Sequence, residues 1–160
     1  MSSLATGLPR VTGFDFLVGD WTVRNLRLRR PLSGETEWYE TTATATSWTL
    51  HNGAVSIDEM WFPGDGFAGC SIRLHDPATG RWTIHWVNSR TGELQAHVVG
   101  RWEGAEFTAE GPDDYHGCAI TAKYLWTDIT PESATWAQDF SIDDGRTWER
   151  NWIMLWQRTG

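Results

Sequence analysis

The chain has 160 residues, with 13 Lys and Arg against 21 Asp and Glu, a formal charge of −8 and a pI near 5.0. An acidic surface of this kind does not track a phosphate backbone, so nucleic acid is not an expected partner. Hydrophobic residues make up 40% of the chain, enough for a core and too many for a disordered polyelectrolyte.

The length suits one domain over 1–160, with residues 1–12 expected to be flexible. Met1 to Arg10 lacks the apolar run of a secretory leader, and no stretch approaches the roughly 18 apolar residues of a membrane span. The expected compartment is the cytoplasm, where Cys70 and Cys118 stay reduced.

Helical patterning is confined to Gly13–Val18, a short turn ended by Gly19. Beyond it, segments rich in Thr, Val, Ile and Trp are cut by Gly, Pro, Asn and Asp at intervals of about ten residues. Ten strands are expected, near 21–29, 37–50, 54–62, 67–75, 81–88, 94–102, 105–110, 118–127, 134–140 and 149–157. The predicted class is all-β, an antiparallel sandwich or barrel.

Three turns set register. Asn52-Gly53 is a type I′ signal, because both central residues need positive φ. It places Leu50 opposite Val55, Trp48 opposite Ile57, Thr46 opposite Glu59 and Thr44 opposite Trp61. Asp76-Pro77-Ala78-Thr79-Gly80 is a longer hairpin loop that sets His75 against Trp82, Arg73 against Ile84 and Ser71 against Trp86. Ser141-x-Asp143-x-Gly145-x-Thr147-Trp148 matches an Asp box, read as structural, and pairs Phe140 with Glu149, Asp139 with Arg150, Gln138 with Asn151 and Trp136 with Ile153.

In the first hairpin, the face of Trp48, Leu50, Val55, Ile57, Glu59 and Trp61 carries more large apolar area than the other and is expected inside. Glu59 would then be a carboxylate among aromatics, paired or protonated, and the leading candidate for chemistry or recognition. Period two carries Asn25 and Arg27 inward with Trp21, and Arg73 shares a face with Trp82, Ile84, Trp86 and Asn88. At the last hairpin Trp136, Gln138, Asn151 and Ile153 are expected inside. That leaves Trp152, Met154 and Trp156 outside, so either they form a homodimer interface or the face is reversed there.

The ordered set Phe14-Asp15-Phe16-Leu17-Val18-Gly19-Asp20-Trp21, Ser56-Ile57-Asp58-Glu59, Asp76 to Trp82, Trp86-Val87-Asn88 and the closing Asp box resembles small bacterial lipocalin-like proteins of the calycin group, of unassigned function. The resemblance implies an up-and-down barrel with a ligand cavity, plugged at one end by the N-terminal turn. The strand count is similar to intracellular fatty-acid-binding and nitrobindin-type barrels, the latter holding haem through a histidine.

Chemical motifs are sparse. The five histidines form no H-x-H or H-x-x-x-H pair and the cysteines no C-x-x-C, so no metal site is expected. G-x-S-x-G, G-x-G-x-x-G and P-loop patterns are absent. No cofactor is expected.

Part of the 12 Trp fill the barrel, while Trp48, Trp61 and Trp86 are expected to wall a cavity, with Glu59 and Asn25, Arg27 or Arg73 at its polar end. The expected function is binding of a small hydrophobic or aromatic metabolite. The alternatives are a cofactor-free cyclase or isomerase, with Glu59 as general acid or base and Arg73 or Asn25 as oxyanion donor, and haem binding through His85 or His97.

Overall fold

The computed structural model describes residues 7–95 and 97–160. Apart from two short 3-10 turns, Asp15–Leu17 and His51–Gly53, all its regular structure is strand. The strands are β1 (Gly19–Leu28), β2 (Trp38–Leu50), β3 (Val55–Phe62), β4 (Phe67–His75), β5 (Trp82–Asn88), β6 (Val98–Glu103), β7 (Glu106–Tyr115), β8 (Cys118–Thr127), β9 (Ser133–Ser141) and β10 (Glu149–Arg158). Each is antiparallel to its sequence neighbours, and β10 closes on β1. The all-β, ten-strand, up-and-down barrel expected from the turn spacing is the observed architecture.

The turns explain the register. Asn52 (φ 55°) and Gly53 (φ 96°) adopt the positive angles of a type I′ turn, and the pairs Leu50–Val55, Trp48–Ile57, Thr46–Glu59 and Thr44–Trp61 follow. His75–Trp82, Arg73–Ile84 and Ser71–Trp86 also pair as expected. The Asp box holds its turn through Ser141 and Asp143: the Gly145 N–H donates to Ser141 Oγ at 2.8 Å, and the Thr147 N–H donates to Asp143 Oδ1 at 2.8 Å.

The last hairpin departs from expectation. Phe140–Glu149 and Asp139–Arg150 pair as read, but a bulge at Asn151 then sets Gln138 against Trp152 and Trp136 against Met154. Two residues of β10 occupy one position of β9, so every later side chain changes face. Trp152, Met154 and Trp156 therefore turn inward and Ile153 leaves the inner set, which removes the ground for a homodimer through that face.

One barrel end is plugged. Phe14 packs against Trp82 and Phe107 with ring centroids 4.9 and 5.1 Å away, and Phe16 packs on Trp126 at 5.4 Å. The Trp21 indole N–H donates to the Leu17 carbonyl at 2.8 Å, while Arg158 donates to the carbonyls of Phe16 and Val18. Flexibility was expected for residues 1–12; residues 1–6 lie outside the described residues, but 8–12 are tied down. Asn52 Nδ2 donates to the Leu8 carbonyl at 2.7 Å, and the Val11 N–H donates to the Asn52 carbonyl at 3.0 Å. A Cβ at Gly53 would stand 2.0 Å from the Val11 carbonyl oxygen, so this seat requires glycine.

The other end differs on the β5–β6 side. β6 begins at Val98 rather than near 94, and it pairs with β5 only through Ile84–Val98, Thr83–Val99 and Trp82–Gly100. The upper half of β5 is met instead by the 89–97 connection, through a Val87–Leu94 bridge and a Gln95 N–H donated to the Trp86 carbonyl at 3.0 Å. Among the described residues no helix is long and apolar enough to cross a membrane.

Candidate functional site

Between plug and open end the barrel is hollow. The cavity has a volume of about 620 Å³, within the range of roughly 300–1,000 Å³ usual for small-molecule sites. Indoles dominate its wall: Trp86 from β5, Trp126 from β8, Trp136 from β9, and Trp152 and Trp156 from β10. These rings brace one another. Trp136 stacks on Tyr124 at 5.6 Å and meets Trp152 edge-on at 5.2 Å, and Trp126 lies 5.2 Å from Trp156. Trp86 lies flat over the β4 backbone, where a Cβ at Gly69 would come within 1.8 Å of its ring.

The polar heart of the cavity is a buried ion pair. Asp58 is 2% exposed and Arg73 4%, and Arg73 Nη2 donates to Asp58 Oδ2. Arg73 Nη1 also donates to Ser56 Oγ at 3.2 Å, and the guanidinium lies 5.1 Å from the Phe14 ring and 5.9 Å from Trp126. Its Nε has no hydrogen-bond partner. Both residues face the cavity from adjacent strands because Ser56 and Arg73 are direct cross-strand partners. Higher on the wall, burial and the negative charge of Asp113 push the Tyr124 phenol well above its ordinary range, so it is neutral.

Of the residues singled out in the sequence, Arg73, Trp86, Trp136 and Gln138 line the cavity. Asn25 is fully buried beside it and accepts the Trp152 indole N–H at 3.0 Å. Arg27 points inward as its alternation requires, its guanidinium 3.8 Å from the Trp152 ring, and burial lowers its pKa. Asn151 is buried at the bulge, where its Oδ1 accepts from Gln138 Nε2 at 2.9 Å. Asn88 serves a turn instead, accepting the Arg90 N–H at 2.9 Å.

Glu59, Trp48 and Trp61 are corrections. The face expected inside is the outer wall: Glu59 is exposed, Trp61 is 47% exposed and Trp48 half-buried, while Ala43, Ala45, Ser47, Ser56, Asp58, Met60 and Phe62 are buried. The interior takes the smaller side chains because plug and indoles already occupy much of it. Glu59 therefore cannot exchange a proton with a molecule in the cavity. The carboxylate inside is its neighbour Asp58, which the sequence reading passed over along with Tyr124, Trp126, Trp152 and Trp156.

None of the five histidines lines the cavity among the described residues; His85 and His97 lie together elsewhere, rings 5.4 Å apart. Haem ligation through either has no donor at this site. Among the described residues no group of three or more His, Cys, Asp or Glu is placed to hold a metal ion.

No family model matches the chain, and no curated protein matches it. Among solved structures it is similar to Rv2717c from M. tuberculosis, a crystal structure, with a TM-score of 0.56 and 12% identity. The match covers 92% of this chain and 95% of that one. The likeness establishes the fold alone. It extends over nearly the whole barrel, and at this identity it assigns no residue a role.

Proposed function

We propose that this protein is a lipocalin-like barrel that binds a small hydrophobic or aromatic metabolite in its central cavity. The observation that carries the reading is a hollow of about 620 Å³ walled by five indoles, with a self-neutralised Arg73–Asp58 pair inside it. Such a site gains affinity from apolar area, at about 25 cal/mol per Å² removed from water before the costs of association, and orientation from a few fixed polar groups. Cavities of this size cost stability in a protein selected for stability alone. Cys70 and Cys118 are free thiols, which supports a cytoplasmic setting.

Native mass spectrometry of the protein after incubation with a cell metabolite extract tests this. A discrete adduct is expected on the wild type and not on Ile84→Trp, which puts an indole into the hollow. No adduct on either, or equal adducts on both, overturns the reading.

A further inference from the structure

The charges around the cavity are one-sided. Asp58, Glu93, Asp113 and Asp114 face it with a single basic group, Arg73. Asp58 already neutralises Arg73, and Ser56 takes a further N–H. No ion pair engages Glu93, Asp113 or Asp114 among the described residues. Asp113 Oδ1 accepts the Asp114 N–H at 2.8 Å and Asp114 Oδ1 accepts the Gly117 N–H at 2.9 Å, which fixes these carboxylates at the open end of β7 without cancelling their charge. Arg27, the other basic group packed on the aromatic wall, is not part of the lining.

Two further observations concern the walls. The indoles already accept cations from the chain itself: the Arg27 guanidinium lies 3.8 Å from the Trp152 ring and that of Arg73 lies 5.9 Å from Trp126. At the plugged end, Trp156 is 3% exposed, lines the cavity and has an Nε1 without a hydrogen-bond partner. It is a donor held in a dry site, and its partner is missing from the protein.

Building on the cavity as a ligand site, we infer that the ligand is an organic cation: an apolar or aromatic body that enters the indole-walled hollow and carries an ammonium-type head at the mouth formed by Glu93, Asp113 and Asp114. An anion fits poorly, since it would be desolvated beside these carboxylates with no free basic partner. Like-signed carboxylates around a low-dielectric cleft concentrate the opposite charge there. The neutral Tyr124 phenol, whose proton the Asp113 field helps to retain, registers the same negative potential inside the barrel. From Phe107 to Asp113 β7 advances about 20 Å along the strand, so head and body are accommodated together.

The test is isothermal titration calorimetry with three probes that share a body: phenylbutyltrimethylammonium, phenylbutanol and phenylbutanoate. At low salt the ammonium is expected to bind about tenfold or more tightly than the alcohol, the carboxylate weakest, and the ammonium and alcohol to compete for one site. At about 500 mM NaCl, and in the triple variant Glu93→Gln, Asp113→Asn, Asp114→Asn, the advantage is expected to shrink to about threefold or less. The alcohol's affinity should stay constant in both. Should the triple variant not fold, the salt comparison on the native chain decides. Alcohol binding with no preference for the ammonium, or ammonium binding that leaves the alcohol in place, overturns the cationic assignment and leaves the cavity reading standing. Failure of all three probes overturns both.

Discussion

Asp58 and Glu59 are adjacent carboxylates on β3 whose opposite environments make a sharp comparison. Asp58→Ala would strand the Arg73 guanidinium, 4% exposed, with the Ser56 hydroxyl and two aromatic faces as its remaining partners. Removing one member of a buried pair costs about 3–5 kcal/mol, because the other charge stays desolvated. For a chain of this length that corresponds to a fall in Tm of about 6–20 °C. Glu59→Ala removes an exposed carboxylate without an ion-pair partner, so stability should change by no more than about 0.5 kcal/mol. The double variant Asp58→Leu, Arg73→Met removes both charges and should recover most of the loss, giving a coupling of about 2 kcal/mol or more in the double-mutant cycle. Urea unfolding followed by tryptophan fluorescence measures all four proteins. A mild effect at Asp58 with a large one at Glu59 would refute the placement of the β2–β3 faces and the polar heart of the cavity with it.

Other perturbations follow from particular contacts. Deleting Asn151 restores the uninterrupted pairing and drives Trp152, Met154 and Trp156 to the surface, so the variant should bind a hydrophobic dye strongly or fail to fold; native-like unfolding would contradict the bulge. Gly69→Ala places a methyl 1.8 Å from the Trp86 ring and should cost about 1–3 kcal/mol in urea unfolding, with no change expected only if Trp86 does not lie over β4. In the Asp box, hydrogen bonds from Thr147 and then Ser141 hold Asp143 down at about 2. A carboxyl depressed by folding stabilises above its unfolded value and loses that contribution as pH falls through the folded one. The difference in urea midpoint between wild type and Asp143→Ala should therefore be full at neutral pH and narrow between about pH 4 and 2; a difference independent of pH would show that the bonds are not made to the ionised form.

How far the sequence reached is clearest at the hairpins. Positive-φ turns specify which residues stand opposite each other, so the β2–β3 and β4–β5 registers came directly from Asn52-Gly53 and the Asp76–Gly80 loop. Register does not say which side is inner, and apolar area misled because this barrel wears Trp48, Ile57 and Trp61 on its outer wall. The corrective signal was present. Phe62 and Phe67 flank the Pro63–Gly66 turn, so Ser56 opposes Arg73, and two directly opposed residues share a face. Arg73 inside thus requires Ser56 and Asp58 inside, with Glu59 out. The bulge has no comparable composition signature, yet three large apolar residues stranded on the solvent side of β10 mark where strict alternation breaks. The closing of the cavity beside β5 by the 89–97 connection depends on long-range packing that no local pattern encodes.

The central claim is that a hollow lined by one set of tryptophans, and not the surface bearing another, receives the ligand. Fluorine NMR of protein labelled with fluorotryptophan, with resonances assigned by single Trp→Phe variants and titrated with phenylbutanol, tests this most directly. Trp86, Trp126, Trp136, Trp152 and Trp156 should shift along one saturable curve while Trp38, Trp48 and Trp61 stay fixed. Shifts confined to Trp38, Trp48 and Trp61, or no saturable shift anywhere, would contradict it.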